Sequence, residues 1–204
     1  MKDIIGLFEN VVSTLNNEVK ITSIGGVYNG LSEIKLCSTK WIRANNGLNS
    51  KVDIGGIIYD VAEVIDSQTI KVKATTNPDG LSLKITRPLF LNATMLAANV
   101  EREQIIDNLG KLAKDSWKKL PFIWLVEPFS SPENHLPTAM VESTPDVVLL
   151  FLDGTNVIDW NTKQQYLNVI NPLESLVNAF IECIINNKKD FGKITNFRKY
   201  RHAK

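Results

Sequence analysis

Cysteine and histidine are scarce in this 204-residue chain, two of each, and the scarcity removes several classes of chemistry. Cys37 and Cys183 have no partner at short spacing. That argues against a zinc ribbon or a disulfide framework and predicts two buried, reduced thiols in a reducing compartment. His135 and His202 lie far apart with no cysteine cluster near them, so the sequence offers no metal site. Long apolar runs are missing too. The most continuous, such as Val147–Leu152, fall far short of the ~20 residues that span a bilayer, so no membrane association is expected. The N-terminus has no basic start, apolar middle and small-residue cleavage site of a secretory signal. Gly25-Gly26 and Gly55-Gly56 open no helix and sit in no phosphate-cradling motif, and both are expected to be hairpin turns.

What is present is ordinary for a folded domain: 44% apolar and 22% charged residues, enough to build a sizeable core. The net charge of +1 conceals an asymmetry. Residues 188–204 hold seven cations against Asp190 alone, a balance of +6, which leaves −5 on the preceding 187 residues. A basic terminal arm on a mildly acidic body suits an acidic partner or nucleic acid; it also suits a solvated tail that keeps the protein soluble.

Along the chain, Ile4, Phe8, Val11, Val12 and Leu15 recur at helical spacing and predict an amphipathic helix ending near Asn16-Asn17. From Val19 to about Phe90 short alternating segments are punctuated by Asn29-Gly30, Gly55-Gly56, Asp66-Ser67 and Asn77-Pro78-Asp79-Gly80. Five or six short strands in about 70 residues predict a compact barrel or small sandwich, with lysines on outward positions guarding its edges. Helical spacing returns at 101–119, where Ile105, Ile106, Leu109, Leu112, Ala113 and Trp117 form one stripe. Pro121 limits that helix to residues before Leu120.

Pro121–Phe129 then packs large apolar residues between two prolines and predicts a buried strand, with Val147–Asp153 as a second. Residues 130–144 are polar and contain Pro132 and Pro137, which predicts a long loop. Pro172 fits the first turn of a final helix whose stripe is Leu173, Leu176, Val177, Phe180, Ile181, Ile184 and Ile185. The expected fold class is α+β. A small sheet flanked by helices (residues 1–18 and 91–187) carries an inserted all-β barrel-like or sandwich module (19–90) and a basic tail (188–204).

The search for a reaction is negative. Val147–Thr155 resembles the haloacid-dehalogenase phosphatase signature, but Phe151 stands where that motif needs its nucleophilic aspartate, so no phospho-aspartyl intermediate can form. No nucleophile elbow occurs. Glu127 and Asp153 each close a predicted strand, where a carboxylate usually meets solvent. No catalytic residue, cofactor or metal is expected, and the chain reads as a non-enzyme. The tail interleaves Tyr200 with Lys188, Lys189, Lys193, Arg198, Lys199 and Arg201, and aromatics among cations can stack bases and neutralise phosphates. Phe191, Ile194 and Phe197 equally suit docking of the tail on the body or on a neighbouring subunit.

The order of elements, together with Lys119-Leu120-Pro121-Phe122-Ile123-Trp124-Leu125, Val147–Leu152 and Ile170-Asn171-Pro172-Leu173 leading to Leu176, resembles tail-terminator and tail-completion proteins of tailed bacteriophages and prophages. The resemblance spans roughly residues 99–187 and does not extend to the β-module. It implies a virion structural protein assembled in the host cytoplasm: a ring-forming tail terminator or head–tail connector (neck) subunit. Such a protein self-associates as a homo-oligomer and docks on other neck or tail proteins, with DNA in proximity to its basic tail. The alternative is a module that binds nucleic acid or a ligand through the β-barrel and the basic tail.

Overall fold

The computed structural model describes residues 4–44, 51–94, 121–130, 133–135, 141–143, 146–153, 161–187 and Phe191. Helix α1 (Ile4–Thr14) leads directly into six strands: β1 (Glu18–Tyr28), β2 (Leu31–Leu36), β3 (Lys51–Ile54), β4 (Ile57–Val64), β5 (Thr69–Lys73) and β6 (Ser82–Ile85). They close into an antiparallel barrel in the order β1-β2-β5-β4-β3-β6. Alternation explains the closure. Val19, Ile21, Ile34, Leu36, Val52, Ile54, Val61, Ile70, Val72, Leu83 and Ile85 all point inward and are buried. Closure leaves no edge to guard, so the outward lysines do other work. Lys71 Nζ lies 3.0 Å from Glu63 across β4 and β5, and Lys51 lies 3.7 Å from Asp60 across β3 and β4.

Two turns carry the hairpins at one end of the barrel. Asn29 and Gly30 have φ of 52° and 74°, and Gly55 and Gly56 have 60° and 88°. Both pairs lie in the left-handed region that a tight two-residue hairpin demands. Gly25-Gly26 is not a turn. It lies inside β1, where the register against β2 slips between Ile24 and Val27. The slip is a bulge, closed by the Ser32 hydroxyl donating to the Gly25 carbonyl at 2.8 Å.

Strand β7 (Leu89–Thr94) leaves the barrel and joins a second sheet with β8 (Phe122–Ser130) and β11 (Asp146–Leu152), in the order β11-β8-β7. β8 pairs antiparallel with β11 and parallel with β7. A parallel pair requires a crossover of a dozen or more residues, and the 95–121 connection has that length. The helix expected at 101–119 lies outside the described residues. The expected loop at 130–144 instead contains β9 (Glu133–His135) and β10 (Val141–Ser143), an antiparallel pair with His135 opposite Val141. The paired segments fall between and beyond Pro132 and Pro137, so neither proline has to donate to the ladder.

Pro172 lies in the first turn of the final α-helix, as expected, but helical turns already begin ten residues before it. Asn161 caps α2 (Thr162–Gln165), its side chain accepting from Gln164 N while the Gln164 side chain returns to the Asn161 amide. A π-turn (Tyr166–Ile170) then runs without a break into α3 (Asn171–Asn186). Proline inside a helix removes a ladder bond and collides with the carbonyl four residues back. The wider π-turn immediately before Pro172 shifts the ladder, with Asn171 N–H bonding to Tyr166 O. The buried face of α3 is narrower than its apolar stripe. Pro172, Leu176, Phe180 and Ile184 are enclosed, whereas Ile185 is exposed.

Phe180 stacks on Phe8 of α1 at 6.0 Å and meets Phe151 of β11 edge-on at 5.4 Å, which fixes both helices on the sheet. A single cluster of buried residues runs from the barrel interior through Val11 and Leu15 to Ile123 and Leu125 of β8. No described helix is long and apolar enough to cross a membrane.

Candidate assembly surface

The connection from β2 to β3 holds the barrel to the rest of the molecule, and nothing in its sequence pattern announces this. Trp41, Ile42, Arg43 and Ala44 are all buried. Trp41 Nε1 donates to the Thr86 carbonyl at 3.0 Å, and Lys40 Nζ donates to the carbonyls of Asn16 and Glu18 at 2.8 and 2.6 Å. Ala44 N donates to Asn168 Oδ1 at 2.8 Å, while Asn168 Nδ2 donates to Gln164 O at 3.0 Å. A buried asparagine in the π-turn thus receives the strap. Arg43 forms an ion pair with Asp153, both side chains fully enclosed. Burial pulls the Arg43 guanidinium down from its ordinary value to about 10. Burial also lowers Lys40, against the opposing pull of Cys37 and Glu18. The expectation that Asp153 meets solvent is therefore overturned: a buried cation on the strap claims it.

This strap anchors the near end of the barrel, and the far end is where apolar side chains are left in water. Tyr28 is 79% exposed, Leu81 88%, Ile57 59% and Ile58 63%. Three loops meet there. Val27 N donates to Asn77 Oδ1 at 3.0 Å, and Ala74 N donates to Gly30 O at 3.0 Å, tying the β1–β2 turn to the 74–81 loop. A Cβ on Gly55 would lie 2.5 Å from the Asp79 carbonyl, which puts the β3–β4 turn against the same loop. Asp53 Oδ1 accepts from Gly56 N at 2.8 Å and stiffens that turn. Across residues 28–31, 54–58 and 74–81, Asp79 is the one carboxylate and no lysine or arginine occurs.

A groove of about 250 Å³ runs along the barrel wall below this end. It is lined by Asn17, Lys51, Asp53, Ile58, Lys84 and Thr86, among others. Asp53 stands opposite both Ile58 and Lys84 in the strand register, so an apolar side chain lies beside alternating charges.

The sequence-predicted contact residues Lys188, Lys189, Lys193, Arg198, Lys199, Tyr200 and Arg201 all lie outside the described residues, as does His202. Phe191 is described, and its ring packs on Phe8 at 5.5 Å, so this part of the tail segment docks on the body. The cysteines differ from expectation. Cys37 is exposed at the end of β2, and Cys183 is half-buried beside Thr14, 3.4 Å from its hydroxyl. The register leaves Cys37 just past the inward Leu36, so alternation turns it outward. Among the described residues no three His, Cys, Asp or Glu side chains converge as metal ligands. Phe151, at the would-be nucleophile position, packs against Phe180 in the core. Exposed Tyr28, Ile57, Ile58 and Leu81 were legible only as members of turns and strands; a signal existed in the near absence of charge around them. No family model, no curated protein and no solved structure matches this chain.

Proposed function

We propose that the chain is a structural subunit of a tailed-bacteriophage virion. It acts at the neck or tail end as a ring-forming tail terminator or head–tail connector, by self-association and docking, and catalyses no reaction. The observation that carries the reading is the apolar far end of the barrel. Four large side chains are held in water by interlocked turns, at the opposite end from the buried strap. An exposed apolar patch of on the order of a few hundred Å² on a stiff support marks an interaction surface. A rigid body with such an end presents one fixed orientation to its neighbours, which a closed ring requires. The resemblance of 99–187 to tail-terminator and tail-completion proteins supplies the virion context, and the basic tail suits DNA or an acidic neighbour in the channel.

Light scattering after size exclusion, with the protein alone and mixed with tail-tube protein, tests this. A strict monomer that binds neither tube nor connector protein refutes it.

The rival reading, a nucleic-acid- or ligand-binding module, draws on the same barrel and tail. On the barrel wall Lys51 and Lys71 are each matched by a carboxylate across the strand, which leaves fewer cations for a phosphate track. Under that rival, removing residues 188–204 abolishes a steep salt dependence of DNA binding.

A further inference from the structure

We infer that Asn29 is a site of spontaneous covalent modification. The Gly30 amide nitrogen displaces the Asn29 side-chain amide, and water opens the resulting ring to leave a carboxylate at the tip of the barrel's apolar end. Three observations carry this. Asn29 and Gly30 are both exposed, at the turn between β1 and β2. The pairing of Tyr28 with Leu31 closes that turn, so the ladder passes outside it, and the Gly30 N–H has no hydrogen-bond partner among the described residues. A Cβ at Gly30 would meet nothing within 4 Å, so no neighbour screens that nitrogen. The Asn29 side-chain amide is likewise held by no hydrogen bond among the described residues.

Other asparagines lack this combination. Asn16 and Asn77 each accept from a backbone amide, Asn17 donates to the Ile85 carbonyl, and Asn161 caps α2. Asn10 and Asn178 lie inside helices, where the amide that follows belongs to the ladder. The second Asn-Gly pair, Asn46-Gly47, lies outside the described residues.

The net change is amide plus water to carboxylic acid plus ammonia. The Gly30 nitrogen loses its proton to solvent and attacks the Asn29 side-chain carbonyl carbon. The bond from that carbon to the side-chain nitrogen breaks, ammonia leaves, and a cyclic imide remains. Water then adds to either imide carbonyl. One opening gives aspartate; the other routes the main chain through the side-chain carbon, as isoaspartate.

Conversion strikes the surface assigned above to assembly, and that consequence rests on the assembly reading. Asp79 is the one carboxylate of the three loops, and the 74–81 loop is tied to this turn, so a second carboxylate adds like charge beside exposed Tyr28. A charge enclosed in an apolar contact without a partner is costly. Aspartate keeps the turn, since Asp-Gly suits the same left-handed pair. Isoaspartate adds a main-chain atom, which a two-residue turn closed by Tyr28 and Leu31 cannot take without distortion.

Peptide mapping of the full-length protein tests the site, fresh and after incubation in mildly alkaline water enriched in heavy oxygen. Trypsin releases Ile21–Lys35, whose one asparagine is Asn29. The expected result is loss of the amide form of that peptide ahead of the peptides carrying Asn16 and Asn77. Its aspartate and isoaspartate products should both carry heavy oxygen, and Asn29→Gln should suppress them. A peptide that keeps its amide while the others convert overturns the proposal, and so does aspartate without isoaspartate, since isoaspartate marks the imide. Light scattering of Asn29→Asp beside wild type, with thermal melts confirming the fold, reads the consequence, and association is expected to weaken. Conversion with unchanged association leaves the site standing and removes this tip from the assembly surface. A wild type that never associates refutes the assembly reading alone.

Discussion

Replacing Asp153 with Asn removes one charge from the enclosed Arg43–Asp153 pair while keeping its shape. Both side chains are fully buried, so the guanidinium is left charged in a site that already disfavours charge. Burial lowers the Arg43 guanidinium to about 10, so the site by itself disfavours its charge. Breaking a buried pair from one side typically costs about 3–5 kcal/mol. For a chain of this length each kcal/mol moves the melting temperature by about 2–4 °C, so Asp153→Asn should lower Tm by roughly 6–20 °C. Replacing both partners with apolar residues of similar volume, Arg43→Met with Asp153→Leu, removes the desolvation cost along with the attraction. That double variant should be near neutral or more stable than wild type. Thermal melts and urea titrations of the two single variants and the double variant form the cycle that checks this. A loss below about 1 kcal/mol for Asp153→Asn, or a double variant as unstable as the singles, would refute the reasoning.

Three further outcomes are expected. Asn168→Leu strands the buried Ala44 amide, costs about 1–3 kcal/mol, and speeds hydrogen exchange at Ala44 more than at α1 amides; equal rates would show that the strap does not depend on the π-turn. Gly55→Ala should destabilise by more than about 1 kcal/mol, because it adds a Cβ at φ +60° and 2.5 Å from the Asp79 carbonyl. Gly26→Ala, with nothing within 4 Å, should cost less than Gly55→Ala in the same urea titration. Cys37, exposed, should react with a thiol reagent in the folded protein faster than half-buried Cys183, read by mass spectrometry after a short pulse.

Period-2 alternation from Val19 to Ile85 was enough to read a small all-β module, because burial of one strand face is a local rule that each segment obeys alone. The apolar runs 121–129 and 147–152 were readable as strands for a similar reason, their branched and aromatic content, but only the first is a buried strand: Ile123, Leu125 and Val126 of β8 are enclosed, whereas β11 is half-buried and its Val148 is 56% exposed. That β7 belongs to the second sheet, parallel to β8, was not readable, since strand pairing is a choice among partners distant in sequence. The two-stranded pair β9–β10 escaped notice because it is short and polar and lies among prolines. The helix start at Thr162 was missed because proline is the stronger local signal. The π-turn that neutralises it is favoured by a contact, Asn168 to Ala44, that no local pattern predicts.

The candidate surface divides along the same line. Tyr28, Ile57, Ile58 and Leu81 could each be placed beside a turn from sequence, and the scarcity of charge around them could be counted. That they gather at one end follows from the barrel order β1-β2-β5-β4-β3-β6, a property of closure alone. The fate of Asp153 shows the same division most clearly. Its position at the end of an apolar strand was legible from the sequence. Its burial was decided by tertiary structure, because Arg43 comes from a strap 110 residues away, and only the folded chain brings a cation to meet it. Alternation and apolar content determined that this protein has strands and a core. Long-range closure determined which side chains meet in that core and which remain in water.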